Sequence, residues 1–343
     1  MAKVSGKTLV TGGAGFIGSH VVRELLKQGR EVRVLAMKGE NTKNIDGLDV
    51  EKVEGDVLDA DSVKKALKGC NRLFHLAAIY ALWLPNRRKM YDVNVTGSQN
   101  ILWAAYKQGV ERVVYTSSIA ALGVSGDGKP TTEETEFNQI DKANDYVFSK
   151  YLSDQDARVF AREGLPLTIV NPAFPFGARD IAPTPTGQIL LDIVNGKTPG
   201  WFEAGFNVVD VEDVARGHVL AEEKGRVGER YIMANQNVTM KEFLELVTKV
   251  TGMNLKLRKI PINVAIALGY FMEYRSDTVT HQRPVLSGKA LRYAKQYLHY
   301  DNSKARKELG MEFTPIEESI SRAVEWFKEN GYIKNKAFLK RAS

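Results

Sequence analysis

Thr11-Gly12-Gly13-Ala14-Gly15-Phe16-Ile17-Gly18 follows the apolar stretch Thr8-Leu9-Val10 and precedes a helical pattern over 19–28. A strand that runs into a glycine turn and then opens a helix is where a dinucleotide pyrophosphate binds. The glycines allow a tight turn and close backbone approach, and the helix N-terminus offers unpaired N–H groups and the positive end of its dipole. A glycine triplet alone says little; in this strand–turn–helix setting it points to a dinucleotide.

Outward from that turn, strand candidates at 7–11, 31–35, 50–54, 72–76, 112–116 and 165–170 alternate with helical stretches such as 62–68, 95–108 and 147–163. Such alternation specifies an α/β fold with a doubly wound parallel sheet. With a late strand at 230–234 the sheet has about seven strands. After Val170 the rhythm breaks at Pro172, Pro175, Pro183, Pro185 and Pro199. Helices then dominate, one of them opened by the capping box Thr239-Met240-Lys241-Glu242. The expected organisation is a dinucleotide-binding domain over 1–170 with a return segment near 208–235. A smaller, mostly helical substrate lobe would take 171–207 and 236–330, and a solvated basic tail 331–343.

The 343 residues are 43% hydrophobic, ample for a core. The lone Cys70 excludes an intrachain disulfide and points to a reducing, cytoplasmic setting. Beside Gly69 and before an apolar run, it reads as a buried filler rather than a nucleophile. No secretory signal is expected, since the first strand starts within the opening residues. The apolar run 264–272 is too short to span a bilayer. Four positive charges of the +7 total (Lys334, Lys336, Lys340, Arg341) lie at the very end, and no basic stripe interleaves with aromatics. Nucleic acid is not an expected partner. The sequence neither calls for contact with a membrane surface nor forbids it, and no metal site is expected.

An NAD site places an acid at the end of the second strand for the ribose 2′-hydroxyl, whereas an NADP site avoids it and supplies cations. Here the strand ends Ala36-Met37-Lys38, with no acid before Glu40 and a further lysine at Lys43. NADP(H) is favoured and NAD(H) stays open. Asp56, after the third strand, could accept from the adenine amino group or cap a turn.

Tyr146 and Lys150 stand four residues apart at the start of a long helix, which puts phenol and ammonium on one face. A tyrosine titrates near 10, so acid–base work at neutral pH needs help from a cation. Tyr300 and Lys304, and Tyr332 and Lys336, share the spacing but lie late in the chain; only Tyr146 and Lys150 fall between a fifth and a sixth strand. Ser118 follows the fifth strand, at the edge where ligands bind such sheets, and can donate to a carbonyl oxygen.

With these residues in place the chain resembles the extended short-chain dehydrogenase/reductases. The resemblance runs from the glycine loop through Phe74-His75-Leu76-Ala77-Ala78, Asn94-Val95-Thr96-Gly97, Ser117-Ser118 and Tyr146…Lys150 to Val211-Glu212-Asp213-Val214-Ala215. It is nearest to the branch labelled hopanoid-associated sugar epimerase or dihydroflavonol-reductase-like. It implies a catalytic triad of Ser118, Tyr146 and Lys150, with Lys150 also holding the nicotinamide ribose and Asn94 assisting a proton relay. It implies cofactor contacts from Gly12, Gly15, Phe16, Ile17, Gly18, Lys38, Lys43, Asp56, Val57 and Ala77, with Pro172 beside the nicotinamide, and a homodimer built on the helices at 95–108 and 147–163. Ile101, Ala105, Leu152 and Phe160 would share that interface with the core. One departure is Met37, where many reductases of this neighbourhood carry an arginine.

Nucleotide-sugar members usually carry an arginine just before the stretch matching Val208-Val209-Asp210; this chain has Phe206-Asn207. Tyr80, Trp83, Phe174 and Trp201 could instead line a dry pocket, with Arg179 and Arg283 as candidate anion anchors. Three readings follow. One is a reductase (or alcohol dehydrogenase) acting on an apolar small molecule. The second is a nucleotide-sugar epimerase or dehydratase that recycles its nicotinamide. The third is a non-catalytic NADP(H)-binding protein.

Overall fold

The computed structural model describes residues 6–126 and 128–341. The strands are β1 (Lys7–Thr11), β2 (Glu31–Ala36), β3 (Glu51–Glu54), β4 (Cys70–His75), β5 (Arg112–Thr116), β6 (Leu167–Pro172), β7 (Phe174–Phe176), β8 (Gly205–Asp210), β9 (Arg230–Met233) and β10 (Gln236–Thr239). The helices are α1 (Phe16–Lys27), α2 (Ala60–Leu67), α3 (Arg88–Tyr91), α4 (Ser98–Lys107), α5 (Asp145–Arg162), α6 (Pro185–Val194), α7 (Val211–Lys224), α8 (Met240–Thr251), α9 (Ile262–Arg275), α10 (Gly288–Ala294), α11 (Ile316–Glu329) and α12 (Lys336–Arg341).

Seven parallel strands form one sheet in the order β3-β2-β1-β4-β5-β6-β9. The order reverses between β1 and β4, which leaves a crevice at their carboxyl ends, as doubly wound sheets do. Both faces are covered. Val10, Val34, Phe74 and Val114 pack under α1 and α7 on one side; Leu9, Leu73, Val113 and Ile169 pack under α2, α4 and α5 on the other. The strands therefore read as nearly continuous apolar runs instead of alternating.

The chain leaves the sheet after β6 and builds a second, three-stranded sheet in the order β10-β8-β7. It comes back through α7, which packs on α1, and β9, which pairs with β6. Phe176, Leu190, Val208, Phe243, Ile320 and Phe327 form a third apolar cluster with α6, α8 and α11. The capping box at Thr239 and Glu242 is present, with Thr239 N donating to Glu242 Oε2 at 2.7 Å.

Two expectations change. The helix expected over 95–108 begins earlier, as α3 followed by a π turn at Asp92–Gly97 before α4. A β-carbon on Gly97 would come within 2.7 Å of Val57 Cγ2, so the wider turn sits tightly against the third βα loop. The tail is not wholly solvated either: its lysines are exposed, but Ile333 and Phe338 are buried in the third cluster. Apolar side chains spaced along the tail give α12 a packing face that charge counting conceals. Cys70 is a buried filler, its thiol pushed up in pKa by burial. Among the described residues no helix is long and apolar enough to cross a membrane, and no cluster suited to a metal ion occurs.

Candidate active site

The glycine loop lies at the carboxyl end of β1. Gly12 has φ +68°, and a β-carbon there would sit 2.7 Å from the Ala77 nitrogen, so β1 and β4 meet too closely for a side chain. A β-carbon on Gly18 would collide with the Gly12 carbonyl at 2.0 Å. Thr11 Oγ1 accepts from Ala77 N at 3.2 Å and ties the two strand ends together. Gly15 precedes α1, no side chain caps that helix, and its first turn carries no acid. These free N–H groups and the dipole suit a pyrophosphate, and the loop fits a dinucleotide on chemical grounds.

At the other end of such a cofactor, Lys38 and Lys43 are exposed. Glu40 folds back so that Met37 N donates to its Oε2 at 2.9 Å. The acid that the strand end lacks in sequence is thus brought there by a turn. Asp56 Oδ1 accepts from Leu58 N at 2.9 Å, a turn cap, and Val57 is buried.

Ser118, Tyr146 and Lys150 converge beyond the end of β5. Asn144 caps α5 by accepting from Val147 N at 2.9 Å, which fixes the first turn carrying Tyr146. Ser118 Oγ accepts from Ala120 N at 3.1 Å, and its hydroxyl lies close enough to the Tyr146 phenol to draw that pKa down. Burial, with Tyr80 next, outweighs this and holds the phenol well above its ordinary value. The rings of Tyr80 and Tyr146 are 4.7 Å apart, and Tyr80 Oη meets Thr186 Oγ1 at 3.3 Å.

Lys150 is buried, and its ammonium does not reach the phenol. It donates to the Thr116 carbonyl at 2.9 Å and lies 5.4 Å from the Tyr115 ring. Helical spacing puts the two residues on one face, but the long lysine stem carries its charge to the nearest acceptor at the strand end. Burial lowers its pKa to about 8, against the opposing charge of Asp154.

Asn94, on the π turn, accepts from Ile79 N at 2.7 Å and donates to Ile79 O and to Ser149 Oγ, each at 3.0 Å. It clamps the loop after β4 to α5. Pro172 ends β6, paired with Met233. The proposed substrate aromatics separate. Tyr80 faces Tyr146; Trp83 Nε1 donates to Asp277 Oδ1 at 2.7 Å; Phe174 packs edge-on to Phe206; Trp201 joins a bridge with Lys259. Arg179 takes φ +74°, its carbonyl accepting from Asn44 Nδ2 at 3.0 Å.

Sequence reading missed several groups. His75 is buried between Thr11 Oγ1 (2.7 Å) and Ser98 Oγ (3.0 Å), with its pKa lowered by burial to about 3, so it is a neutral strut. Asn171 Nδ2 donates to the Ser118 carbonyl at 2.9 Å and holds the serine in place. Ser117 donates to the buried Asp154, and Arg230 lies 3.9 Å from that carboxylate. The residue types of Ser117-Ser118 and of Asn171 beside Pro172 were visible, but nothing in the sequence paired them.

Residues 8–234 match the NAD dependent epimerase/dehydratase family. A protein of Synechocystis sp. provisionally named dihydroflavonol 4-reductase is 37% identical over 329 residues, covering 95% of each chain. Sterol demethylase protein B of Methylococcus capsulatus is 32% identical, covering 95% of this chain and 99% of its own. The crystal structure of gox2253 superposes with a TM-score of 0.86 at 38% identity, over 95% of this chain and 99% of its own. Sheet order, glycine loop and likeness agree across nearly the whole length: the chain is an NAD(P)-dependent enzyme of the NAD dependent epimerase/dehydratase family, an extended short-chain dehydrogenase/reductase.

Proposed function

We propose that the protein reduces the carbonyl group of an apolar small molecule, or oxidises the corresponding alcohol, with NADP(H) as cofactor. The observation that carries this reading is the packing of Tyr80 on Tyr146. It puts an aromatic wall beside a phenol that burial keeps protonated at neutral pH, an arrangement suited to donating a proton in a dry site.

In this reading Gly12, Gly15, Phe16, Ile17 and Gly18 hold the pyrophosphate, Asp56, Val57 and Ala77 flank the adenosine, and Pro172 lies by the nicotinamide. When bound, the nicotinamide supplies a hydride to the carbonyl carbon. Ser118 donates to the carbonyl oxygen and orients it, and Tyr146 gives that oxygen its proton. Lys150, charged below about pH 8, grips the ribose. Asn94 holds the backbone on which a proton relay to solvent would run. Lys38 and Lys43 would pair with a 2′-phosphate; Glu40, fastened to the Met37 amide, opposes it. The names of the two relatives, one a reductase and one concerned with sterols, support an apolar carbonyl substrate.

We assign residues 1–170 with the returning α7 and β9 to cofactor binding, and 171–207 with 236–330 to the substrate side. A homodimer would use the outer faces of α4 and α5. Ile101 and Ala105 cannot serve there: they are fully buried against the sheet, and Trp103, Tyr106 and Val159 occupy the exposed face instead. The helix period explains the exchange: Trp103 and Tyr106, two and five positions after Ile101, lie about 200° and about 140° round the helix from it.

A screen of steroid, aromatic and aliphatic carbonyl compounds, followed by NADPH absorbance, tests this proposal. We expect turnover with at least one hydrophobic aldehyde or ketone. Micromolar binding of a nucleotide sugar without NADPH-consuming turnover would overturn it in favour of an epimerase or dehydratase.

A further inference from the structure

Helix α9 is apolar on nearly every side yet is held by one narrow seam. Its buried residues are Ala265, Gly269 and Glu273, four apart on a single stripe. Gly269 meets Gly288 so closely that a β-carbon would lie 2.6 Å from the Gly288 nitrogen. At 3.6 residues per turn the opposite side carries Val264, Leu268, Phe271 and Tyr274, which are 59%, 44%, 58% and 66% exposed. A helix apolar all round is ordinarily buried, so this face calls for a cover.

The surrounding charge says what kind. Between residues 254 and 300 there are eight lysines and arginines against only Glu273 and Asp277, so this segment carries +6 of the chain's +7. Both acids are engaged locally: Glu273 takes the Ser287 hydroxyl, and Asp277 takes Trp83 and Arg87. Arg275, Arg283 and Lys289 have no acidic partner among the described residues, and Arg275 falls on the exposed side of the helix, in line with Leu268 and Phe271. A second copy of the chain would bring two such cationic segments face to face, which like-charge repulsion opposes. An anionic lipid surface answers both the apolar face and the charge.

We propose that α9 docks the protein on anionic bilayers, lying in the headgroup plane with Leu268 and Phe271 inserted. Fourteen residues reach about 21 Å, short of the roughly 30 Å hydrocarbon core, so the helix lies on the membrane and does not span it. The turn after α9 also touches the candidate site: Asp277 holds Trp83 at 2.7 Å on the loop that carries Tyr80. Docking would therefore set the cleft mouth against the bilayer. Only this last consequence, access of a membrane-dissolved carbonyl compound, rests on the proposed reductase activity.

Co-sedimentation of the whole protein with phosphatidylcholine vesicles, with and without phosphatidylglycerol, tests the docking without any turnover. We expect binding only to the anionic vesicles, weakened by salt. Leu268→Glu with Phe271→Glu should weaken it by at least about a hundredfold, from the apolar area no longer withdrawn from water. Arg275→Gln and Lys289→Gln, which leave the apolar face intact, should each cost about fivefold. Unchanged melting temperature and NADPH binding check that each variant is folded. Absence of wild-type binding to anionic vesicles overturns the proposal, as does equal binding by the charge variants. So does self-association that the double glutamate variant abolishes while vesicle binding is absent. A protein that reduces carbonyl compounds in water but ignores vesicles loses the docking and keeps the reductase reading.

Discussion

The ring of Tyr80 lies 4.7 Å from that of Tyr146 and is tilted 42° from it, with its own hydroxyl turned to Thr186. The contact shields the Tyr146 phenol from water on one side and leaves the Ser118 hydroxyl as its polar neighbour. Shielding of this kind favours the neutral phenol, the form that can donate a proton.

Tyr146→Phe should lower turnover by roughly 10²- to 10⁴-fold, the range for loss of a general acid, with cofactor affinity nearly unchanged. Steady-state rates and a cofactor titration on the same preparation check it. Wild-type turnover in this variant would remove Tyr146 from the chemistry.

Lys150 gives a pH dependence with a definite sign. Its pKa is lowered to about 8, so its charge is complete well below that pH and is lost as pH rises through it. The profile of kcat/KM for reduction should fall above about pH 8. Because the charge of Asp154 raises the Lys150 pKa, Asp154→Asn should move that limb to lower pH. A flat profile through this range, or no displacement in the variant, would show that the ammonium is not needed.

Cofactor choice rests on opposed charges at the end of β2. NADP(H) should bind more tightly than NAD(H), and Lys38→Glu should erase or invert the preference by repelling a 2′-phosphate. Glu40→Gln, which removes the carboxylate beside the Met37 amide, should strengthen it. Titration of both cofactors against the three proteins decides; equal affinities throughout would mean that these side chains are merely solvated.

Stability should depend on a buried ion cluster at the base of the sheet. Glu222 Oε2 lies 3.0 Å from Arg30 Nη2, both side chains at 2% exposure or less, and its other oxygen meets Arg72. Glu222→Gln leaves Arg30 inside the protein with only Glu223 at 3.2 Å. Loss of one partner of a buried pair costs about 3 kcal/mol or more, readable by urea denaturation. Neutralising Glu24, whose partner Lys27 is exposed, should change nothing measurable.

Much of the framework was legible because the signals are local. Strands β1 and β5 have the bounds read from their apolar runs, and β2, β3, β4, β6 and β9 shift by one or two residues at their ends, whereas the short strands β7, β8 and β10 of the second sheet were not read from the sequence. The glycine loop, the α8 capping box and the position of Tyr146 all follow from spacing along a few residues. What escaped depends on contacts between distant segments. The π turn at Asn94 is wound against Val57, about 40 residues earlier, and periodicity does not reveal such a turn. Glu40 is the first acid after Ala36-Met37-Lys38, and one turn, which the sequence does not announce, returns its carboxylate to the Met37 amide. Lys150 shares a face with Tyr146 as helical spacing requires, but the Thr116 carbonyl at the end of β5 claims its ammonium. Trp83 looked like a pocket residue, and its partner Asp277 lies nearly 200 positions on.

Net cofactor consumption tests the central claim most directly. With NADPH deuterated at the transferable position and a hydrophobic ketone or aldehyde, mass spectrometry of the product counts the hydrogens that the cofactor delivers. We expect one deuterium in the alcohol for each NADP⁺ formed by the wild-type protein, and both products formed roughly 10²- to 10⁴-fold more slowly by Tyr146→Phe. Conversion of a nucleotide sugar with no net NADP⁺ formed, and with hydrophobic carbonyl compounds left unreduced, would contradict the account.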